Sequence, residues 1–564
     1  MAFHSLRTTA ESPNLIGISV TGREAGVDVA QKMPGLVSSL SRKCCSSFRL
    51  PPELLAAIFL EYARDSASLV YSVTVPRWIA VSYVCRYWRN VALHCANLWA
   101  THLFFVSSEW MDELLRRSKN VPLIVRVDIC YHSGSHVGQI HSLEKALGNM
   151  ERIQDLWIEC PSDMIEIIQP RLNVAAPLLR SLYLSAGMSF DGLFLINQDT
   201  LPGVMPGLRK VHLYSFRVDW SSSIFNGLTK LTLGYLFNQT LDYLNGVLRI
   251  LRQLPRLRQL CLEGSVPDIG AILPTSRNEN ECISLPHLEK LFLAEPVSWT
   301  IALLTQLELP KSTIVQLECH CGDPQDISGL LALITDQIGN YPSMAESAQT
   351  ELRYLDLDRN DDCWKFTYGA STTNAYRTDM FSHYLERLGS QITLTHMPEE
   401  TDDILAWFCA FPVAQLNAIA VHDLYEDNFE NEDPWTEAFQ NASELHTIGV
   451  ESSRFECLIR ALHPHDGTIP APNLIDINLG QIEFDRCDCS CGRDHAGKGN
   501  IQCLLYALAK RAEAGNMLPR LDIFRCSNIT EDDMMELSKV VGQLNDSSCT
   551  ELGVEFEEAY QFED

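Results

Sequence analysis

The sequence predicts two architectures in series: a small all-α module near the N-terminus, then an α/β leucine-rich-repeat-like solenoid over most of the chain. Three observations predict this. Two short stretches, "LPPELLAAIF" (Leu50–Phe59) and "VCRYWRNVA" (Val84–Ala92), carry apolar residues at helical spacing. From Ile153 onward one six-residue phrase recurs: a large aliphatic, two variable residues, an aliphatic, one variable residue, an aliphatic. Copies starting at Leu179, Leu208, Leu228, Leu257 and Leu288 are about 20 to 31 residues apart, close to the leucine-rich-repeat period.

The composition can fill such a structure. The 564 residues are 46% hydrophobic and 21% charged, enough for a small domain plus a long repeat array. A net charge of -28 argues against a general binder of nucleic acid or anionic membrane, because phosphate attraction is built from clustered Lys and Arg. The 19 cysteines lack the regular spacing of a disulfide framework, and the N-terminus lacks the pattern of a secretory signal. No apolar run approaches the roughly 18 residues that suggest a membrane span. These features describe a reduced, intracellular protein, cytoplasmic or nuclear, whose partners are proteins.

Taken in order, residues 1–46 mix Ser, Thr, Gly and charges with no sustained period, and are read as a disordered tail. Residues 47–104 form the helical module. In its first helix Pro51 and Pro52 sit where missing backbone donors cost nothing, and Leu54, Ile58 and Tyr62 fall one turn apart beside Leu55 and Phe59. The second pattern runs from about Arg77 to Ala96 through Val81, Val84, Cys85, Trp88, Val91, Ala92 and Cys95. Two such helices are too short to bury both stripes between themselves, so part of that surface should meet another chain or the following domain.

Leu50-Pro51-Pro52-Glu53-Leu54-Leu55 with Ile58-Phe59, then Val84-Cys85-Arg86-Tyr87-Trp88-Arg89 with Val91-Ala92, then Leu98-Trp99, resembles an F-box. "SSEWMDELLRRSKNVPLIV" (Ser107–Val125), in the connecting helical and strand segment 105–150, is similar to the region that follows the F-box in many fungal F-box proteins. Asn97 stands where family members often have Pro, and "SASLVYSVTVP" (Ser66–Pro76) is longer than in a minimal F-box. The resemblance implies a non-catalytic substrate receptor of a Skp1-cullin-F-box type ubiquitin ligase, with no cofactor. Its adaptor-binding residues would be Leu50, Pro51, Leu54, Ile58, Phe59, Val84, Trp88 and Leu98, docking a Skp1-type adaptor and through it a cullin.

Residues 151–564 are read as the solenoid. The phrase appears as "IQDLWI", "LRSLYL", "LRKVHL", "LTKLTL", "LRQLCL", "LEKLFL", "IVQLEC", "LRYLDL", "LNAIAV", "LHTIGV", "LIDINL" and "LDIFRC". In six copies a proline, at 177, 206, 255, 286, 472 or 519, stands two residues ahead and ends the preceding helix. In a strand the two close aliphatics share a face, and helical stretches such as "LDYLNGVLRILRQL" (Leu241–Leu254) close the other side. "WKFTYGASTTNAYRTDM", within the irregular stretch Leu352–Leu416, is expected to be an insertion or a degenerate repeat.

The concave face is the expected site for a protein substrate. Lys210, Lys230 and Lys290 with His212, Tyr214 and Phe292 make its early part basic and aromatic, while Glu318, Asp356 and Asp476 make the later part acidic. The basic half would receive an acidic or phosphorylated segment. "CDCSCGRDH" places Cys487, Cys489, Cys491 and His495 close together, but such tight spacing suits a polar loop with free thiols better than a tetrahedral zinc site. "CHCGD" (Cys319–Asp323) and "YHSGSH" (Tyr131–His136) have no partner at ligand spacing, and no catalytic motif is present. Two alternatives stay open: a non-ligase scaffold that keeps the adaptor contact, and a zinc-binding protein organised on Cys487–His495.

Overall fold

The computed structural model describes residues 50–67, 77–101, 108–128, 137–186, 195–203, 205–236, 243–264, 282–320, 324–338, 352–360, 363–370, 391–396, 411, 413–422, 434–451, 461–464, 468–484 and 500–546. The expected tail 1–46, the Cys487–His495 cluster and "YHSGSH" lie outside them. The chain divides into two compact units, residues 1–69 with 77–98, and residues 70–76 with 99–564.

In the smaller unit, helix α1 (Pro52–Ala67) starts with Pro52 in its first turn and Leu55 N–H donating to the Pro51 carbonyl at 3.1 Å. Leu55, Phe59 and Ala63 recur every four residues and are buried. Arg77–Ala80 form a 3-10 turn, and α2 (Val81–Val84), α3 (Arg86–His94) and α4 (Ala96–Ala100) follow. The second helix expected from the periodicity is therefore broken. Cys85 is fully extended (φ -159°, ψ 172°), and its Sγ accepts from Trp88 N–H at 3.4 Å, so a cysteine caps α3 where serine or aspartate usually would. Tyr87 Oη donates to the Leu50 carbonyl at 2.7 Å, tying α3 to the start of α1. The Phe59 and Trp88 rings meet with centroids 5.1 Å apart.

The larger unit is built on one 16-stranded sheet. In chain order its strands are β1 (Leu123–Asp128), β2 (Ile153–Cys160), β3 (Ser181–Ala186), β4 (Lys210–Tyr214), β5 (Lys230–Gly234), β6 (Gln259–Glu263), β7 (Lys290–Ala294), β8 (Ile314–His320), β9 (Leu352–Asn360), β10 (Cys363–Ala370), β11 (Gln391–His396), β12 (Ala418–His422), β13 (Thr447–Glu451), β14 (Asp476–Gly480), β15 (Leu518–Phe524) and β16 (Val541–Asp546). The two close aliphatics of each early phrase enter the core: Leu182 and Leu184, Val211 and Leu213, Leu260 and Leu262, and Leu291 and Leu293 are all buried. The residues between them face the other way, as a period of two requires. That second side is called the open face below.

Strands β1 to β8 are parallel and adjacent in sequence order. Beyond β8 the spatial order is β11, β10, β9, then β12 to β16. β10 is antiparallel to both its neighbours, and every other pairing is parallel. Where several strands end, the next residue turns left-handed and donates its N–H to the neighbouring strand. Ser215 (φ 62°), Tyr235 (φ 49°), Gly264 (φ 56°) and Gln481 (φ 51°) bond the carbonyls of Gly234, Glu263, Ala294 and Phe524. Only Gly264 adopts that region without steric cost.

This topology corrects the expected fold class, an all-α F-box module followed by an α/β leucine-rich-repeat-like solenoid. The chain is an α/β structure dominated by a large sheet with parallel runs of nine and six strands on either side of the antiparallel β10. A solenoid lays each coil beside the one before it. Here β8 is followed in space by β11, and the expected insertion contains β10, a regular strand pairing on both edges. In the smaller unit, the interruptions at Cys85 and Cys95 leave short helices in place of a second long one, and the described residues do not show an all-α F-box module. No described helix is long and apolar enough to cross a membrane.

Candidate functional site

The smaller unit leaves a row of apolar side chains exposed. α1 has two apolar stripes: Leu55, Phe59 and Ala63 face inward, while Leu54 (55% exposed), Ile58 (50%) and Tyr62 face solvent. Tyr83 and Val84 (60%) at the end of α2 are exposed as well. Of the residues assigned to the adaptor, Leu54, Ile58, Val84 and Pro51 are exposed, and Leu50 and Trp88 are half-buried. Phe59 (1%) and Leu98 (0%) are corrected to core positions, because a side chain already buried has no surface to offer a partner. Tyr83 was not anticipated, since helical spacing alone does not tell which of two stripes is spent inside.

On the open face of the sheet, parallel register converts positions in the repeated phrase into rows. The first row reads Asp155, Ser181, Lys210, Lys230, Gln259, Lys290 from β2 to β7. The second reads Arg126, Trp157, Tyr183, His212, Thr232, Cys261, Phe292, Gln316 from β1 to β8. The third, at the strand ends, reads Asp128, Glu159, Ser185, Tyr214, Gly234, Glu263, Ala294. Glu318, two residues beyond Gln316 on β8, continues it.

The second row contains a ladder of rings. The Arg126 guanidinium lies 4.6 Å from the Trp157 ring, Trp157 and Tyr183 stack at 4.7 Å and 14°, and Tyr183 contacts His212 at 5.9 Å and Tyr214 at 5.7 Å. Gly234 is required beneath it, because a Cβ there would lie 2.4 Å from the Tyr214 ring. Burial, reinforced by Lys230 and Lys210, holds the His212 imidazole down at about 4, so the ring is neutral at pH 7. Burial also raises Tyr214, Asp155 and Glu159, the last with help from Asp128. Trp157 and Tyr183 were absent from the expected site, yet the variable residue between the close aliphatics of successive phrases already spells Trp, Tyr, His, Thr, Cys, Phe.

The structure brings Lys210 and Lys230 onto adjacent strands, with Lys290 two strands further on, and His212, Tyr214 and Phe292 alongside. Among the described residues these three lysines make no ion pair, whereas Arg258 pairs with Glu289 at 3.3 Å and Arg520 pairs with Asp476. The expected division into a basic early half and an acidic late half is corrected. Asp476 is partly neutralised by Arg520, whose Nε also lies 3.6 Å from Asp522, and Glu318 belongs to the same strand group as the lysines. The polarity runs along the strands, from lysines where they begin to carboxylates where they end. Asp356 stands on β9 in register with Ala420, away from that group. No protein-family model matches the chain, and no curated protein matches it.

Proposed function

We propose that the protein is an intracellular substrate receptor of a Skp1-cullin-F-box type ubiquitin ligase, its N-terminal helices docking the adaptor and its open sheet face holding a protein substrate. The observation that supports this is the exposed stripe Leu54, Ile58, Tyr62 with Tyr83 and Val84, concentrated in the segment whose sequence resembles an F-box. Exposed apolar side chains one helical turn apart, as Leu54 and Ile58 are, offer a partner apolar area to cover. The receptor contributes no side-chain chemistry; holding a substrate lysine near a charged conjugate raises its effective concentration.

Half-exposed Leu54 and Ile58 have about 1 kcal/mol each to gain from full burial, and an aspartate there brings a desolvation cost as well. Co-expression with a Skp1-type adaptor should give a 1:1 complex, lost in a Leu54→Asp/Ile58→Asp variant whose melting is unchanged. These two sites are chosen over Trp88, which packs on Phe59 and whose loss would damage the unit itself. A folded parent that captures no adaptor removes the proposal.

A further inference from the structure

We infer that the open face of β4 to β8 holds an extended peptide whose acidic and basic side chains alternate, the acidic ones over Lys210, Lys230 and Lys290 and the basic ones over Glu263 and Glu318. The inference rests on the proposed use of this face for a protein ligand, and names the ligand's chemistry.

Two walls and a floor define the site. The lysine wall lies where the strands begin, on β4, β5 and β7. Adjacent like charges in register are destabilising, so Lys210 beside Lys230 is a cost that an anionic ligand relieves. The carboxylate wall lies four residues along the strands, roughly 13 Å away at about 3.3 Å per residue. Tyr235 Oη donates to Glu263 Oε1 at 3.0 Å, which orients that carboxylate, and the Tyr214 and Tyr235 rings beside it suit a guanidinium or ammonium.

The floor between the walls is His212, Thr232, Cys261, Phe292 and Gln316. It carries no charge at neutral pH: the imidazole is held at about 4, and burial with Glu263 nearby pushes the Cys261 thiol up to about 12. An uncharged floor suits a peptide backbone.

Alternation follows from geometry. Four interstrand steps of about 4.8 Å give the groove a length of roughly 19 Å, enough for about six extended residues. Successive side chains of an extended segment point to opposite sides. A peptide crossing the strands therefore sends residues i, i+2 and i+4 toward one wall and i+1, i+3 and i+5 toward the other. A uniformly acidic or phosphorylated segment would satisfy the lysines but press half its charges against Glu263 and Glu318.

The test is fluorescence anisotropy on the full chain, without adaptor, using labelled synthetic peptides of Glu and Lys. One alternates strictly, one has the same composition in two blocks, one is all Glu, and one is acidic with phosphoserine. The alternating peptide should bind about tenfold tighter than each of the others at low salt. Lys230→Glu and Glu263→Lys should each weaken it. The fivefold reversal Lys210→Glu, Lys230→Glu, Lys290→Glu, Glu263→Lys, Glu318→Lys should restore it, since sliding the peptide by one residue matches the reversed walls, and a misfolded variant restores nothing. Equal or tighter binding of the blocked, all-Glu or phosphoserine peptide overturns the inference, as does no binding of the alternating one. Adaptor capture is scored separately, so its failure is distinguishable from failure here.

Discussion

Arg511 permits a prediction in which two opposing effects are both large. It lies in the helix Asn500–Glu513, is 0% exposed, and no carboxylate pairs with it among the described residues. Its guanidinium donates to the carbonyls of Pro470 (2.5 Å) and Ala471 (3.0 Å), while Nε has no partner. Burial pulls it from the ordinary 12.5 to about 10. At 1.36 kcal/mol per unit, keeping the charged form costs the native state about 3 kcal/mol, a cost present throughout neutral pH and relieved only as pH rises through the native value. Against this stand two charge-assisted bonds of about 1.5–3 kcal/mol each, to acceptors otherwise left buried.

Arg511→Met removes both sides of this balance, and the net expectation is a loss of about 2 kcal/mol. Arg511→Ala adds a cavity of most of a side chain and should cost about 2 kcal/mol more. Urea unfolding, with hydrogen exchange at Asn516, whose N–H bonds the Arg511 carbonyl at 2.9 Å, reads the effect at its source. A neutral or stabilising Arg511→Met would refute the reasoning, showing that the two carbonyls find other donors.

Two more expectations are simpler. Glu113 accepts from Arg116 at 2.6 Å and from Arg117 at 2.5 Å, and these bonds, Arg116 foremost, hold its carboxyl down at about 2. A depressed carboxyl stabilises above its unfolded value and loses that contribution as pH falls, here from about 4.5 toward 2; with the pair partly exposed the effect is about 1 kcal/mol, and the acid limb of the parent's stability profile should be steeper than that of Glu113→Gln. Replacing the sulfur cap of α3 in Cys85→Ser should stabilise the helix by about 0.5 kcal/mol and Cys85→Ala should not, as thermal melts of the two variants would report.

Strand positions were legible because the phrase places aliphatics two apart, and Leu182/Leu184 or Leu291/Leu293 have no other place to go but a shared buried face. The order of strands was not, because nothing local in "WKFTYGA" says which edges it will pair with, even though Trp364, Phe366 and Tyr368 alternate as a strand requires. The break at Cys85 was hidden by a cysteine acting as a cap. The exposed stripe of the first helix was half legible: the spacing puts Leu54 and Ile58 on one face, but Phe59 and Leu98 share the same apolar chemistry and only packing separates them. The basic and acidic rows were present as phrase positions, and their direction became visible only with the register.

The reversed middle of the sheet also bears on how the chain is made. The edge of β8, finished at His320, is covered by β11, which starts only at Gln391, so the 70 residues 321–390 separate the two. At ribosomal speeds of about 5–20 residues per second, the first eight strands stand beside the exit tunnel for roughly 4–14 s with an unpaired edge. Such an edge is a template for any other extended chain. The newborn protein therefore passes through an interval in which its own later strand competes with strangers, and a holding chaperone has a defined place and time to act.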